Sequence, residues 1–343
     1  MTTPRIPSTA VLDDLLSEPT APVVETIRRA RGDLVVLGAG GKMGPTLARM
    51  ARRAAGAAGV PRRVVAVSRF STSGQRETFE QHGIETIACD LLDRQSVDAL
   101  PDAADVVFMA GMKFGASGQP SLTWAENCLM PALVCERYRG SRISAFSTGN
   151  VYPLVRAGSG GSRETDQPAP AGEYAMSCLG RERMFEHFSR AHGTRVAIVR
   201  LNYACELRYG VLVDIARRVL AGDPVDVTMG YLNAIWQGDA NAMALCALDH
   251  AASPALIVNV AGPEELRVRE IALTFGRLLD RPVRIAGAEA PDALLSNGSR
   301  AIELFGAPRV SPDQLMAWIA DWQLAGGETL GKPTKFEVRD GKF

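Results

Sequence analysis

The chain has 343 residues, 46% of them apolar and 22% charged, the proportions of a globular protein with a sizeable core. Its 38 basic and 38 acidic residues leave a formal net charge of zero, so no basic face is expected for nucleic acid or an anionic membrane. No apolar run nears the roughly 20 residues of a membrane span.

The opening segment MTTPRIPSTAVLDDLLSEP carries acids and prolines where a secretion signal would be apolar, and the expected location is cytoplasmic. Residues 1–32 are expected to be an N-terminal extension. Beyond them, short apolar runs at 33–37, 63–67, 85–88, 105–109, 142–146, 195–199 and 256–260 alternate with helical periodicity near 44–57, 74–82, 121–139, 172–192 and 236–250. Near-continuous Val/Ile runs separated by helices predict a parallel sheet covered on both faces, hence an α/β, doubly wound fold. Residues 33–200, together with 236–262, are expected to form this unit. Segments 201–235 and 263–343 then make a smaller, interleaved C-terminal substrate-binding subdomain ending in a Gly/Lys-rich arm.

The first strand runs into Gly38-Ala39-Gly40-Gly41-Lys42-Met43-Gly44 and then a helical pattern. Glycines at this spacing allow a tight turn, close backbone approach to a pyrophosphate, and packing of helix on strand. The helix N-terminus adds free N–H groups and a positive dipole end. About 25 residues on, the second strand ends in Ser68-Arg69 instead of an acid that would hold a ribose 2′-hydroxyl. Arg69 suits a 2′-phosphate, so NADP is favoured and NAD possible. Asp90 and Leu91, closing the third strand, are placed to reach the adenine.

The six cysteines include no C-x-x-C pair, and the four histidines form no metal motif, so no metal is expected.

Gly38-x-x-Gly41-x-x-Gly44, Ala110-Gly111-Met112-Lys113, Phe146-Ser147-Thr148-Gly149-Asn150-Val151-Tyr152 and Tyr174 fall in the order found in extended short-chain dehydrogenases/reductases. The chain resembles the NAD(P)-dependent epimerase/dehydratase group of that family from about residue 33 to 325, which implies a Rossmann fold. The resemblance implies that Tyr174 is the proton-transfer group, with Thr148 on the same substrate oxygen and Ser147 as the fallback. A hydride leaves a carbinol carbon only as its hydroxyl loses a proton, so such a base is needed. It further implies cofactor contacts from Gly38, Gly41, Lys42, Met43, Gly44, Ala110, Gly111, Lys113 and Tyr174, and substrate contacts from Thr148, Asn150 and Asn202. Asn127 is expected to brace the active-site loop.

One departure stands out. The family writes Tyr-x-x-x-Lys, and this chain reads Tyr174-Ala175-Met176-Ser177-Cys178. The missing Lys lowers the Tyr pKa by its charge. Arg181, on the same helix face, or Lys113, in a loop resembling that of UDP-galactose 4-epimerases, could replace it. Asn233 stands where sugar-nucleotide members carry a diphosphate-clamping Arg, and Asn233 and Trp236 are expected to contact the substrate. A neutral amide clamps an anion poorly, leaving Arg208 as a possible contact. The expected substrate is therefore a sugar, sugar acid or related polyol, handled by an NAD(P)-dependent oxidoreductase or epimerase. A nucleotide-sugar epimerase or dehydratase is an alternative; so is a catalytically degenerate dinucleotide sensor or scaffold. A homodimer is expected through the helices near 121–139 and 172–192.

Overall fold

Six short runs rich in Val, Ile, Leu and Phe pair side by side because each must bury two apolar faces, and a seventh, the half-exposed ETIA, closes one edge. In the computed structural model they are β1 (Leu34–Leu37), β2 (Val64–Ser68), β3 (Glu85–Ala88), β4 (Asp105–Phe108), β5 (Arg142–Thr148), β6 (Arg195–Leu201) and β7 (Leu256–Val260). The structure describes residues 5–113 and 118–341; residues 1–4, 114–117 and 342–343, which belong to the N-terminal extension, the segment after the fourth strand and the C-terminal arm, lie outside the described residues. All seven strands are parallel, in the order β7-β6-β5-β4-β1-β2-β3. The order reverses between β1 and β4, and a crevice opens there at the carboxyl ends of the strands. Both strands at the switch are fully buried.

Helices cover both faces. One core holds Leu34 and Val36 of β1 against α3 (Gly44–Ala58), with Ala residues that let helix and sheet approach closely. The other face packs Val35, Val106 and Ile143 against Val134 of α4 (Met130–Arg137) and Phe185 of α5 (Gly172–His192). The helical pattern near 121–139 is interrupted: Pro120–Trp124 leads into a π-turn at Ala125–Leu129, and α4 restarts with Pro131 in its first turn.

A further core gathers Leu212, Ile215 and Val219 of α6 (Val211–Ala221), Ile271 and Phe275 of α8 (Val268–Leu279), and Ile319 and Trp322 of α9 (Pro312–Leu324). Between α6 and α8, α7 (Gln237–Cys246) is buried along its whole length. The N-terminal extension is helical. Ser8 caps α1 (Thr9–Leu16) and Thr20 caps α2 (Ala21–Arg29), each accepting a backbone N–H of the first turn. Leu12 and Leu16 enter the core around α6, whereas Val23 and Ile27 enter the core around α3. The extension thus clasps both. Among the described residues no helix is long and apolar enough to cross a membrane.

Candidate active site

At the end of β1 the chain turns at Gly38 with φ +80°, a left-handed conformation, and a Cβ there would lie 2.5 Å from the Ala110 amide nitrogen. At Gly40 a Cβ would meet the Ser68 hydroxyl at 2.5 Å. The loop therefore stays flush with its neighbours and opens a groove of about 340 Å³. Gly38, Gly41, Ser68, Arg69, Asp90, Leu91, Ala110 and Gly111 line it. No side chain caps α3, whose N-terminus follows Met43. A glycine cradle, an uncapped 15-residue helix and a groove of this size fit the diphosphate and adenosine of a dinucleotide. Gln75, Glu126 and Lys332 also line the groove and carry no motif in the sequence. Gln75 donates to the Gly40 carbonyl at 2.7 Å, and Arg69 lies 3.6 Å from the buried Glu126 carboxylate.

Lys42, Met43, Lys113 and Tyr174 lie elsewhere, in an adjoining cavity of about 160 Å³ that they share with Ser147, Thr148, Asn150 and Asn202. Gly44 lines neither space and packs against Ala39. The Tyr174 hydroxyl lies in hydrogen-bonding reach of both the Thr148 hydroxyl and the Cys178 thiol. Burial, then the neighbouring Cys178, raises the Tyr174 pKa well above its ordinary 10.0; Arg181 opposes the rise. Cys178 is 1% exposed, and burial likewise raises its thiol, so it stays neutral.

Arg181 takes the space behind this pair. One guanidinium nitrogen donates to the Phe146 carbonyl at 3.0 Å, and another donates to the Asn127 side-chain oxygen. Asn127 in turn accepts from the Met112 amide and donates to its carbonyl, both at 3.1 Å, which braces the loop after β4. Gly111 is required there, since a Cβ would collide with the Arg181 guanidinium. Lys113 approaches from the other side, its ammonium 5.7 Å from the Tyr174 ring centroid.

Lys42 crosses the cavity to stand 3.1 Å over the Tyr209 ring. Burial, then repulsion by Lys113 and Lys332, lowers its pKa from 10.5 to about 6. Lys113 is lowered by burial as well. Among the described residues no carboxylate lines this cavity. Asn202 is 3% exposed, and its side-chain nitrogen has no hydrogen-bond partner, a buried donor in the wall that a ligand oxygen could satisfy.

Beneath the cavity Glu182 and Arg200 form an ion pair at 2.7 Å, fully removed from water, and Arg200 donates to the Tyr152 hydroxyl at 2.6 Å. Removing either charge would strand the other, at a cost of roughly 3–5 kcal/mol.

The remaining candidates lie outside the cavity. Asn233 donates to the Glu264 carbonyl and accepts from the Ser296 amide, both at 2.9 Å, tying two loops together. Trp236 is buried with its ring centroid 5.6 Å from that of Trp318. Arg208 pairs with Asp13 at 2.8 Å and Glu206 at 3.1 Å. Among the described residues no group of acids, histidines and cysteines could hold a metal ion.

A doubly wound sheet with a glycine cradle at its switch point, beside a Thr/Tyr pair, defines a Rossmann-type dinucleotide-binding protein. The model of the NAD dependent epimerase/dehydratase family matches residues 34–261, and the chain belongs to that family. A search of curated proteins finds no match. Among solved structures it is similar to the Thermus thermophilus UDP-glucose 4-epimerase complex with NAD, at 21% identity and a TM-score of 0.67, over 84% of this chain and 98% of that one. The Thermotoga maritima UDP-glucose 4-epimerase with UDP-glucose gives 17% and 0.69, over 86% and 99%. UDP-glucuronic acid 4-epimerase from Bacillus cereus in complex with NAD gives 16% and 0.69, over 85% and 99%. These likenesses establish the fold.

Proposed function

We propose that the protein is an oxidoreductase or epimerase that moves a hydride at a carbinol carbon of a small sugar, sugar acid or related polyol. A bound nicotinamide dinucleotide supplies the hydride acceptor and donor. The observation that carries this reading is the hydrogen-bonded Thr148–Tyr174 pair in a cavity adjoining the glycine groove. Tyr174 exchanges the proton of the reacting oxygen, Thr148 holds that oxygen, and Asn150 and Asn202 orient the other hydroxyls. Arg181 provides the positive charge that the Tyr-x-x-x-Lys lysine supplies elsewhere, with Lys113 on the opposite side.

Two features favour a small substrate over a nucleotide sugar. The expected diphosphate clamp is the loop-tying Asn233. The cavity beyond Asn150 and Tyr203 has only about 50 Å³ and is walled by Val338, Arg339 and Gly341 of the C-terminal arm. Two lysines and no acid in the catalytic cavity suit a carboxylate-bearing substrate. At the adenosine end, Arg69 beside Ser68, Ser71 and Thr72 supports NADP. For the homodimer, Leu122, Trp124, Leu129 and Met176 leave exposed apolar surface on the 120–130 segment and on α5. Phe185 and Phe188 point into the core instead.

A dinucleotide sensor is the second reading, favoured by Cys178 alone. Denaturing the purified protein and identifying released dinucleotide by mass spectrometry comes first, followed by a panel of sugars and sugar acids monitored at the reduced-nicotinamide absorbance. Hydride transfer lost in Tyr174→Phe, with dinucleotide affinity kept within about twofold, supports the enzyme. Full turnover by that variant removes Tyr174 from the chemistry.

A further inference from the structure

Among its described residues the arm that follows α9 has no helix or strand, yet it is fastened at close intervals. The Leu330 amide donates to the Arg208 carbonyl at 3.0 Å. Thr334 gives its amide and hydroxyl to the Asp214 carboxylate at 2.7 and 2.6 Å. Phe336 is buried in the core around α6, Glu337 meets Arg218 at 2.6 Å, and Gly341 packs on Ala171 and Gly172 at the start of the Tyr174 helix. Lys332 sits between the first two of these anchors.

This placement brings Lys332 to the groove lined by Gly38, Gly40 and Gly41, although more than 280 residues separate them in sequence. Its charge is felt at Lys42, where it adds to that of Lys113. Three lysine side chains thus approach from the glycine loop, the loop after β4 and the arm, Lys42 and Lys113 in the cavity and Lys332 in the groove. Among the described residues the nearby acids are Asp214, already engaged by Thr334, and, in the groove, Asp90 and Glu126, the latter facing Arg69. Burial and mutual repulsion disfavour the charged forms of Lys42 and Lys113, and an anion between the three side chains would favour them again. The groove they border is the one whose shape fits a dinucleotide diphosphate.

We propose that Lys332 is a dinucleotide-binding residue, delivered by the C-terminal arm to the diphosphate above the glycine loop, so that bound dinucleotide lies beneath the arm. The consequence is retention: dinucleotide leaves only when the segment between Leu330 and Thr334 moves. Because this assignment rests on the dinucleotide reading above, its test measures binding and needs no substrate.

Full-length protein and the variants Lys332→Met, Lys332→Arg and Lys335→Met are titrated calorimetrically with ADP-ribose, adenosine and UDP at two salt concentrations. Lys335 is an exposed control three residues along the same arm. Lys332→Met is expected to weaken ADP-ribose about tenfold, with a shallower salt dependence, and to leave adenosine unchanged. Lys332→Arg should restore most of the loss, and Lys335→Met should match the parent. Equal ADP-ribose affinity in parent and Lys332→Met overturns the proposal, as does a loss shared by adenosine, which would mean a general effect on the fold. A loss confined to UDP assigns Lys332 to the substrate and also overturns it. If the parent takes up neither ADP-ribose nor any nicotinamide dinucleotide, the dinucleotide reading itself fails, an outcome distinct from the others.

Discussion

Ser147 gives its hydroxyl proton to Glu182 at 2.6 Å, and Glu182 is the buried partner of Arg200. The adjacent Thr148 hydroxyl instead reaches the Tyr174 oxygen. Both line the cavity, but the Ser147 hydroxyl is committed to the buried ion pair, so it belongs to the scaffold and Thr148 to the chemistry. Ser147→Ala should cost about 1 kcal/mol of stability and change kcat less than about threefold. Thr148→Val should lower kcat by roughly a hundredfold with little change in melting temperature. Steady-state kinetics paired with thermal melts separate the two effects; the reverse pattern would exchange their roles.

Cys178 marks the position from which a lysine charge is missing. Cys178→Lys places a cation one helical turn from Tyr174, which favours the phenolate and lowers the Tyr174 pKa. The limb of the pH–rate profile on which activity rises as Tyr174 ionises should move down by about one unit. Burying the longer side chain beside Val151 and Tyr152 should cost about 1–3 kcal/mol. A profile that does not move would show that Arg181 already sets the Tyr174 pKa.

At the far end of the groove, Arg69→Asp replaces a phosphate-binding fork with a carboxylate that repels a 2′-phosphate and accepts from a 2′-hydroxyl. The ratio of NADPH to NADH affinity should fall by at least about tenfold. Fluorescence titration with both nucleotides reads this directly, and an unchanged ratio would leave Arg69 as the partner of Glu126 and nothing more.

Lys42 carries a pH dependence of definite sign. With its pKa lowered by burial to about 6, it is mostly neutral in the folded protein at pH 8, whereas the unfolded chain holds the proton up to about 10.5. The unfolded state therefore binds more protons between these values, and stability of the unliganded protein should rise with pH across that window. An anion bound nearby raises the pKa again. Dinucleotide binding at pH 8 should take up as much as about one proton, seen as a dependence of calorimetric enthalpy on buffer ionisation enthalpy. Lys42→Met should abolish the uptake; uptake that persists in the variant would place the proton elsewhere.

The sheet was legible because its strands are apolar runs flanked by turn residues, and the matching runs at 33–37 and 105–109 form the switch point. The glycine loop and the Thr148–Tyr174 pair were legible because their chemistry fixes residue type at short spacing. The N-terminal helices were not. Segments of eight and nine residues broken by Pro19 and Pro22 look like linker, and only the caps Ser8 and Thr20 hint otherwise. Lys42 and Lys332 were harder still, because a long flexible side chain takes its destination from distant segments. Asn233 shows the converse, a site inferred from alignment of motifs that two backbone hydrogen bonds have claimed for loop anchoring.

The contact of Gly341 with Ala171 and Gly172 has a consequence for biosynthesis. During translation the glycine loop emerges early, but β7 closes the sheet only after residue 260, and the last anchors of the arm appear later still. Contacts so distant along the chain form slowly, and a parallel sheet awaiting its edge strand exposes apolar surface meanwhile. A nascent chain can shape its glycine loop long before Lys332 emerges to pack beside it.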